Sequence, residues 1–242
     1  MIMKRLSILS LAMLAVAPLL AADSTPKDAV TAAAAALGNQ PNYSWRTTVE
    51  AGNGGRFRPG PTDGKIEKGG YAVLTLSFND NTTDVVIRGT NAAVKTADAG
   101  WRSAGEVAQD GNGGGPNPAR MAVYTARSFK APAEQAATLA GQVKELTTGT
   151  NGVVGDLTEE GAKALLMFRR GGSGDGPTAS GAKGTVTFWL ADGKLVKYQT
   201  HVTGTVSFNG NDRDVDRTTT TEIKDVGTTK VEVADDAKKK LE

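Results

Sequence analysis

Residues 184–224 read GTVTFWLADGKLVKYQTHVTGTVSFNGNDRDVDRTTTTEIK, and this stretch decides the fold class. The dipeptides DG at 192–193 and NG at 209–210 are typical of the tight turns in β-hairpins. They divide the stretch into three long strands that form an antiparallel meander. We predict these strands over residues 184–191, 194–208 and 211–224, with a short edge strand at 230–233.

The middle strand alternates between an apolar and a polar face, because successive side chains of a strand point to opposite sides of the sheet. The apolar face carries Val196, Tyr198, Val202, Val206 and Phe208, and the polar face carries Lys197, Gln199, His201 and Thr203. One face of the sheet is therefore expected to be buried and the other to meet water. Gly204 interrupts this strand, and a glycine there often marks a bend or bulge, so the sheet is expected to curve.

Other strands and helices precede the meander. Residues 43–50, 70–78 and 83–89 are rich in β-branched and aromatic side chains, and residues 92–107 indicate two strands joined by a turn. Residues 28–38, 131–146 and 157–168 carry helical patterns, and the ambiguous stretch 119–129 favours a helix. Strands followed by helices and then strands predict an α+β fold: a curved antiparallel sheet with helices packed on one face.

The N-terminus has the pattern of a secretory signal peptide. Lys4 and Arg5 precede an apolar run from Leu6 to Leu20, which small residues follow. This run is short for a membrane span, although an uncleaved anchor is the alternative. We expect residues 1–22 to be a signal peptide and residues 23–242 to form a single α+β domain that is exported, either to the periplasm or out of the cell, without a stable transmembrane anchor.

Charge and cysteine content narrow the function classes. The chain has 28 basic and 26 acidic residues, and cleavage would remove Lys4 and Arg5, leaving a net charge of zero. Such a protein has no global field that attracts nucleic acid. The chain has no cysteine, so the fold must rest on its core rather than on disulfides, and no acylated cysteine can follow the signal.

Three glycine-rich stretches raise the question of phosphate binding. They cover residues 52–64, 110–118 and 169–184, and none contains the lysine and hydroxyl that follow a phosphate-binding loop. The loop at 110–118 also has two prolines, which lack the N–H donors such a site needs. We predict that residues 52–64, 110–118 and 171–184 are mobile surface loops.

The remaining polar groups do not assemble into a catalytic or metal set. Asp212, Asp214 and Asp216 share one side of a strand, but the calcium-loop pattern fails around them. His201 is the only histidine and has no cysteine or spaced histidine with which to bind zinc. We expect no metal, no cofactor and no enzymatic activity.

Several segments resemble, in this order, a family of secreted bacterial proteins of uncharacterised function. They read GWRSAGEV, FKAPAEQA, LTEEGAKALL, KGTVTFWLADGKLVKYQ and DRTTTTEIKDVGTTKVEV. The layout is similar to the LolA-like superfamily of envelope lipoprotein and lipid carriers. This resemblance implies a half-open antiparallel barrel that holds acyl chains between the sheet and its helices. The strand RTTTTEI departs from it, because its threonines occupy both faces.

The leading hypothesis is therefore a non-enzymatic carrier of an apolar ligand, a lipid or a lipidated partner. The alternative is a secreted structural or protein-interaction module with a filled core and no ligand. If the sheet has a cavity, its candidate lining consists of Val73, Leu74, Leu76, Phe78, Val86, Phe188, Val196, Tyr198, Val202 and Val206.

Overall fold

The computed structural model describes residues 25–52, 59–78, 81–110, 117–167 and 176–242. Within them the chain forms one large antiparallel sheet and six helices. The strands are β1 (Asn42–Ala51), β2 (Pro59–Glu67), β3 (Ala72–Phe78), β4 (Asn81–Arg88), β5 (Asn91–Thr96), β6 (Gly100–Ser103), β7 (Thr147–Gly149), β8 (Gly152–Asp156), β9 (Thr178–Ala191), β10 (Lys194–Phe208) and β11 (Asn211–Lys224).

The sheet is open and is built from two meanders that meet in its centre. Its strand order is β6-β5-β4-β3-β2-β1-β11-β10-β9-β8-β7. The central pair is β1 and β11, in which Trp45 lies opposite Ile223 and Thr47 opposite Thr221. The first and last strands of the sheet along the chain are therefore neighbours, and this pairing joins the two halves of the molecule.

The helices are short, and most of them cover one face of the sheet, here called the inner face. Helix α1 packs on α4 and β10, α3 on β4 and β5, and α5 on β9 and β10. The helices are α1 (Pro26–Gly38), α2 (Ala104–Gln109), α3 (Pro118–Arg127), α4 (Pro132–Gly141), α5 (Glu159–Leu166) and α6 (Asp235–Lys239).

Polar side chains fix where several helices begin. The Thr25 hydroxyl accepts from the Asp28 amide at 3.1 Å, and Thr158 accepts from Gly161 at the same distance, at the starts of α1 and α5. Ser103 and Glu106 form a capping box at the start of α2. These bonds satisfy backbone N–H groups that the first turn of a helix leaves unpaired.

The main core lies between the inner face and its helices. It includes Phe188, Leu74, Leu76, Leu139 and Val202, each exposed by 2% or less. A second, smaller core lies on the opposite, outer face, where the C-terminal helix α6 covers the strands. Its buried members are Val86, Ala93, Ala237 and Leu241.

The structure confirms the curved antiparallel sheet, the 43–50, 70–78 and 83–89 strands in outline, and the helix at 119–129. The prediction of surface loops is wrong for part of two glycine-rich stretches. Residues 59–64 belong to strand β2, and residues 178–184 belong to strand β9. In β9, Ala182 and Val186 are buried, so packing holds this glycine-rich segment in the sheet. The predicted signal peptide at 1–22 and most of the 110–118 loop lie outside the described residues.

Other predictions of single elements need correction. The helix predicted to 146 ends at Gly141, because Val143 leaves it to form a β-bridge with Leu157. The edge strand predicted at 230–233 does not form; this segment leads instead into α6. Helix α2 and the β7–β8 hairpin are additional elements that the sequence analysis missed.

Candidate functional site

The inner face is not covered evenly, and its half-buried part is the candidate site. Phe78, Leu165, Val206 and Val215 pack against the main core and yet stay partly exposed, and Val49 and Arg217 are partly exposed as well. Apart from Leu165 of α5, these residues lie at one end of β3, β1, β11 and β10, with β2 between β3 and β1. We call this surface the inner patch and define it by Val49, Phe78, Leu165, Val206, Val215 and Arg217.

Strand register places these side chains on one face. Val49 lies opposite Thr219 in the β1–β11 pair, and Gly204 and Val206 lie opposite Val215 and Arg213 in the β10–β11 pair. Residues directly opposite each other in an antiparallel pair point to the same side, and side chains alternate along each strand. The four patch residues of β1, β10 and β11 therefore share the side that carries the buried Val202.

Arg217 is the charged member of the inner patch. Its Nη2 donates a hydrogen bond to the backbone carbonyl of Leu165, in the last turn of α5. Burial lowers the pKa of the guanidinium, because a charge loses favourable hydration when it leaves water. This bond connects strand β11 to the helix that lies over it and leaves a cation beside apolar side chains.

Deeper on the inner face, polar side chains are paired with one another. The hydroxyl oxygens of Thr47 and Thr221 are 2.9 Å apart, and Tyr198 donates its hydroxyl proton to Gln135 Oε1 at 2.6 Å. Burial raises the pKa of Tyr198, which keeps the phenol neutral. Thr221, the buried threonine of the RTTTTEI strand, is thus satisfied by a partner within the sheet.

The structure distributes the ten predicted lining residues over four environments. Five are closely packed in the main core, and Phe78 and Val206 are half-buried in the inner patch. Val73 and Val86 belong to the second core on the outer face, and Val196 is exposed by 39%. The five core residues are Leu74, Leu76, Phe188, Tyr198 and Val202.

Two of these displacements have a clear physical reason. The β9–β10 register shifts between Leu195 and Lys197, so this bulge places Leu195, exposed by 3%, on the buried face in place of Val196. Val86 is buried and Val73 is partly buried, because α6 and Val233 cover the outer face there. Val73, Val86 and Val196 therefore do not lie on the buried inner face, where the sequence analysis expected them to line a cavity.

The outer face holds the polar residues that the sequence analysis singled out. Asp212, Asp214 and Asp216 accept from Ser207, Thr205 and His201, respectively, at 2.6 to 2.9 Å. These contacts are cross-strand pairs of an exposed sheet face. Within the ranges that the structure describes, no group of three or more histidine, cysteine or acidic residues is arranged to hold a metal ion.

The inner patch contains residues that the sequence analysis did not select: Val49, Leu165, Val215 and Arg217. The signal was present for two of them, because the alternation in DRDVDR already separates Val215 and Arg217 from the three aspartates. Leu165 belongs to the inner patch because α5 ends over β11, and this position of the helix can be known only from the tertiary structure.

In the described part of the chain, no helix is both long enough and apolar enough to span a bilayer.

The fold is similar to that of solved structures. It aligns over 88% of this chain with the full length of the lipoprotein LppX from Mycobacterium tuberculosis, with a TM-score of 0.50 and 12% identity. LprF from Mycobacterium bovis aligns over 88% of this chain and 97% of its own, with a TM-score of 0.48 and 12% identity. A DUF1329 family protein from Desulfovibrio piger aligns over 87% and 94%, with a TM-score of 0.33 and 10% identity.

The alignment with LppX agrees with the predicted fold, an open curved antiparallel sheet with most of its helices on one face. At this identity it shows the fold alone, since unrelated functions share folds. No protein-family profile and no curated protein sequence matches the chain.

Proposed function

We propose that this chain is an exported, non-enzymatic carrier that binds an apolar ligand, a lipid or the acyl chain of a lipidated partner, on the inner patch. The observation that carries the proposal is the half-buried apolar surface on the inner face, where Phe78, Val206 and Val215 pack against the core and remain partly open to solvent. Covering such side chains with an acyl chain is favoured by the hydrophobic effect.

Arg217 and Leu165 support the proposal through the geometry of α5. The hydrogen bond between them joins the helix to the strand at the border of the inner patch. A ligand that enters between α5 and the sheet has apolar side chains on the strands beneath it and Leu165 on the helix. Because the Arg217 guanidinium is partly buried, a ligand that displaced the Leu165 carbonyl would have to offer the guanidinium another acceptor.

The fold adds support of a weaker kind. LppX, which shares the fold, is described as a lipoprotein, and the sequence layout resembles the LolA-like carriers. Export of the present chain rests on the predicted signal peptide at 1–22. Intact mass of the protein recovered from a secreted or periplasmic fraction should show a start near Ala22 or Asp23; full-length chain in the membrane pellet would contradict export.

A structural or protein-interaction module with a filled core is the second candidate. It is favoured by the close packing of Leu74, Phe188 and Val202, each exposed by 1% or less, and by the direct bond between Thr47 and Thr221. Under this alternative the inner patch is the border of a filled core and binds no lipid.

Displacement of a fluorescent fatty acid distinguishes the two. We expect dansyl-undecanoate to gain fluorescence on the mature protein and to be displaced by oleate. Val215→Asp should weaken binding by about tenfold or more, because it places a carboxylate where the chain lies. Val226→Asp is the matched control, since Val226 is exposed by 42% outside the patch. If the fatty acid gains no fluorescence on the parent protein, or if Val215→Asp and Val226→Asp lose the same amount of binding, the filled-core module is favoured.

A further inference from the structure

Strand β11 separates its charges between the two sides of the sheet at the end that carries the inner patch. Residues 212–217 read DRDVDR, and successive side chains of a strand point to opposite sides. Val215 and Arg217 belong to the inner patch, so Arg213 lies on the same side of the sheet as they do. The three aspartates of this segment lie on the outer face.

The acidic groups of these central strands face away from the inner patch. The three aspartates accept hydrogen bonds on the outer face from Ser207, Thr205 and His201 of β10. Glu50 of β1 lies opposite Thr218, and Glu222 lies two residues beyond Thr220, so both also point outward. Over the described lengths of β1, β10 and β11, the register thus places no carboxylate on the inner side.

Arg213 is an exposed cation at the border of the inner patch. It lies directly opposite Val206 in the β10–β11 pair, which brings the Cβ atoms of the two residues to about 5 Å. Its side chain is exposed, and it makes no hydrogen bond or ion pair with a residue that the structure describes. A guanidinium in this position can offer a planar pair of N–H donors to a carboxylate, while its aliphatic stem lies along apolar surface.

We propose that the inner patch is specific for amphiphiles with an anionic head group, namely long-chain fatty acids. Arg213 binds the carboxylate, and the chain lies over Val206 and Val215. Hydrogen bonds between charged partners are stronger than those to a neutral head group, and a cationic head group is repelled. Arg217 keeps its hydrogen bond to Leu165. The proposal rests on the carrier function and adds the chemical class of the ligand.

Displacement of the neutral dye Nile red from the mature protein tests the head group. Laurate, dodecanol and dodecylammonium have chains of equal length and differ in the charge of the head group. We expect laurate to bind about fivefold more tightly than dodecanol, and dodecylammonium to bind most weakly. The advantage of laurate should shrink as the salt concentration rises, because salt screens the exposed guanidinium.

Substitutions of Arg213 separate its charge from the apolar contacts. Arg213→Gln should remove the advantage of laurate and leave the affinity for dodecanol unchanged. Arg213→Glu should reverse the preference, so that dodecylammonium binds more tightly than laurate. Arg127→Gln is the matched control, because Arg127 is an exposed arginine in the last turn of α3. Circular dichroism of each variant shows whether it is folded, and the affinity for dodecanol shows whether the apolar surface is intact.

The outcomes distinguish this proposal from the carrier function. If the parent protein binds laurate and dodecanol equally, or if Arg213→Gln and Arg127→Gln lose the same affinity for laurate, the preference for an anionic head group is wrong and the carrier function stands. If none of the three amphiphiles displaces the dye, the carrier function and this proposal fail together.

Discussion

Thr47 in β1 and Thr221 in β11 face each other across the centre of the sheet, with 2.9 Å between their hydroxyl oxygens. The two residues are 174 positions apart in the chain, so this contact joins the N-terminal and C-terminal meanders. Thr221 is exposed by only 1%, so its hydroxyl depends on a partner within the protein. The central pairing therefore relies on buried polar groups as well as on apolar packing.

The Thr47–Thr221 pair predicts a specific pattern of stabilities. Thr221→Val should lower the free energy of unfolding by about 1–2 kcal/mol, because it leaves the Thr47 hydroxyl without its partner. The double variant with Thr47→Val should recover part of this loss, since neither hydroxyl remains. Chemical denaturation measures all three proteins. Thr228→Val, at an exposed turn, is the control, and strict additivity of the two substitutions would contradict the account.

Close packing in the β1–β2 pair predicts a second effect. A Cβ on Gly64 would overlap the indole of Trp45, which is exposed by only 5%. Gly64→Ala should therefore cost about 1–3 kcal/mol of stability, as overpacking in a core does. Gly105→Ala is the matched change, because its Cβ would meet only Ser103 Oγ, at an ordinary contact distance of 3.9 Å in α2, and there it should be neutral or slightly stabilising. Equal thermal midpoints for the two variants would show that this packing is wrong.

The bond between Glu106 and Lys240 predicts a dependence on pH. The Lys240 ammonium, 2.8 Å away, and the Ser103 backbone amide lower the pKa of Glu106 from 4.5 to about 2. Because the folded-state pKa is depressed, the stabilisation is present above pH 4.5 and is lost as the pH falls toward about 2. Glu106→Gln should have a lower melting temperature than the parent protein at pH 7. The difference between the two melting temperatures should shrink as the pH falls. A difference that is constant down to pH 2 would exclude this linkage.

The outer-face core predicts that the C-terminus is part of the folded unit. Leu241 is exposed by 5% beside Ala237 and Val86, and its carbonyl accepts from Asn91 Nδ2 at 2.9 Å. Leu241→Ala should destabilise the protein by about 2–4 kcal/mol, whereas Lys239→Ala, at an exposed position, should change stability by less than about 0.5 kcal/mol. Hydrogen exchange at the β4 and β5 amides should accelerate in the first variant alone; unchanged exchange there would mean that α6 is not required.

The sequence was sufficient to predict the long strands. The DG and NG turns, together with the alternation of apolar and polar side chains, determine an antiparallel meander. It was less informative where local signals are short. Ser103 and Glu106 formed a recognisable capping box for α2, and Asn151–Gly152 was a usable hairpin signal for β7 and β8. The bulge that exchanges Leu195 for Val196 has no such local signal, and it depends on the register with β9.

The candidate site was harder to predict than the fold. The apolar runs in β3 and β4 are buried on both faces of the sheet, since helices cover the inner face and α6 covers part of the outer face. Alternation alone cannot assign Val73 or Val86 to a side in that case. Arg217 and Leu165 become part of one site only because α5 ends over β11.

The carrier function is tested most directly by solvent extraction of the purified mature protein followed by mass spectrometry. The account predicts that lipid copurifies in a defined ratio to protein, that Val49→Asp in the inner patch removes most of it, and that Val226→Asp retains it. Absence of lipid from the parent protein, or equal amounts in the parent and Val49→Asp, would contradict a lipid carrier and leave the filled-core module as the function of this fold.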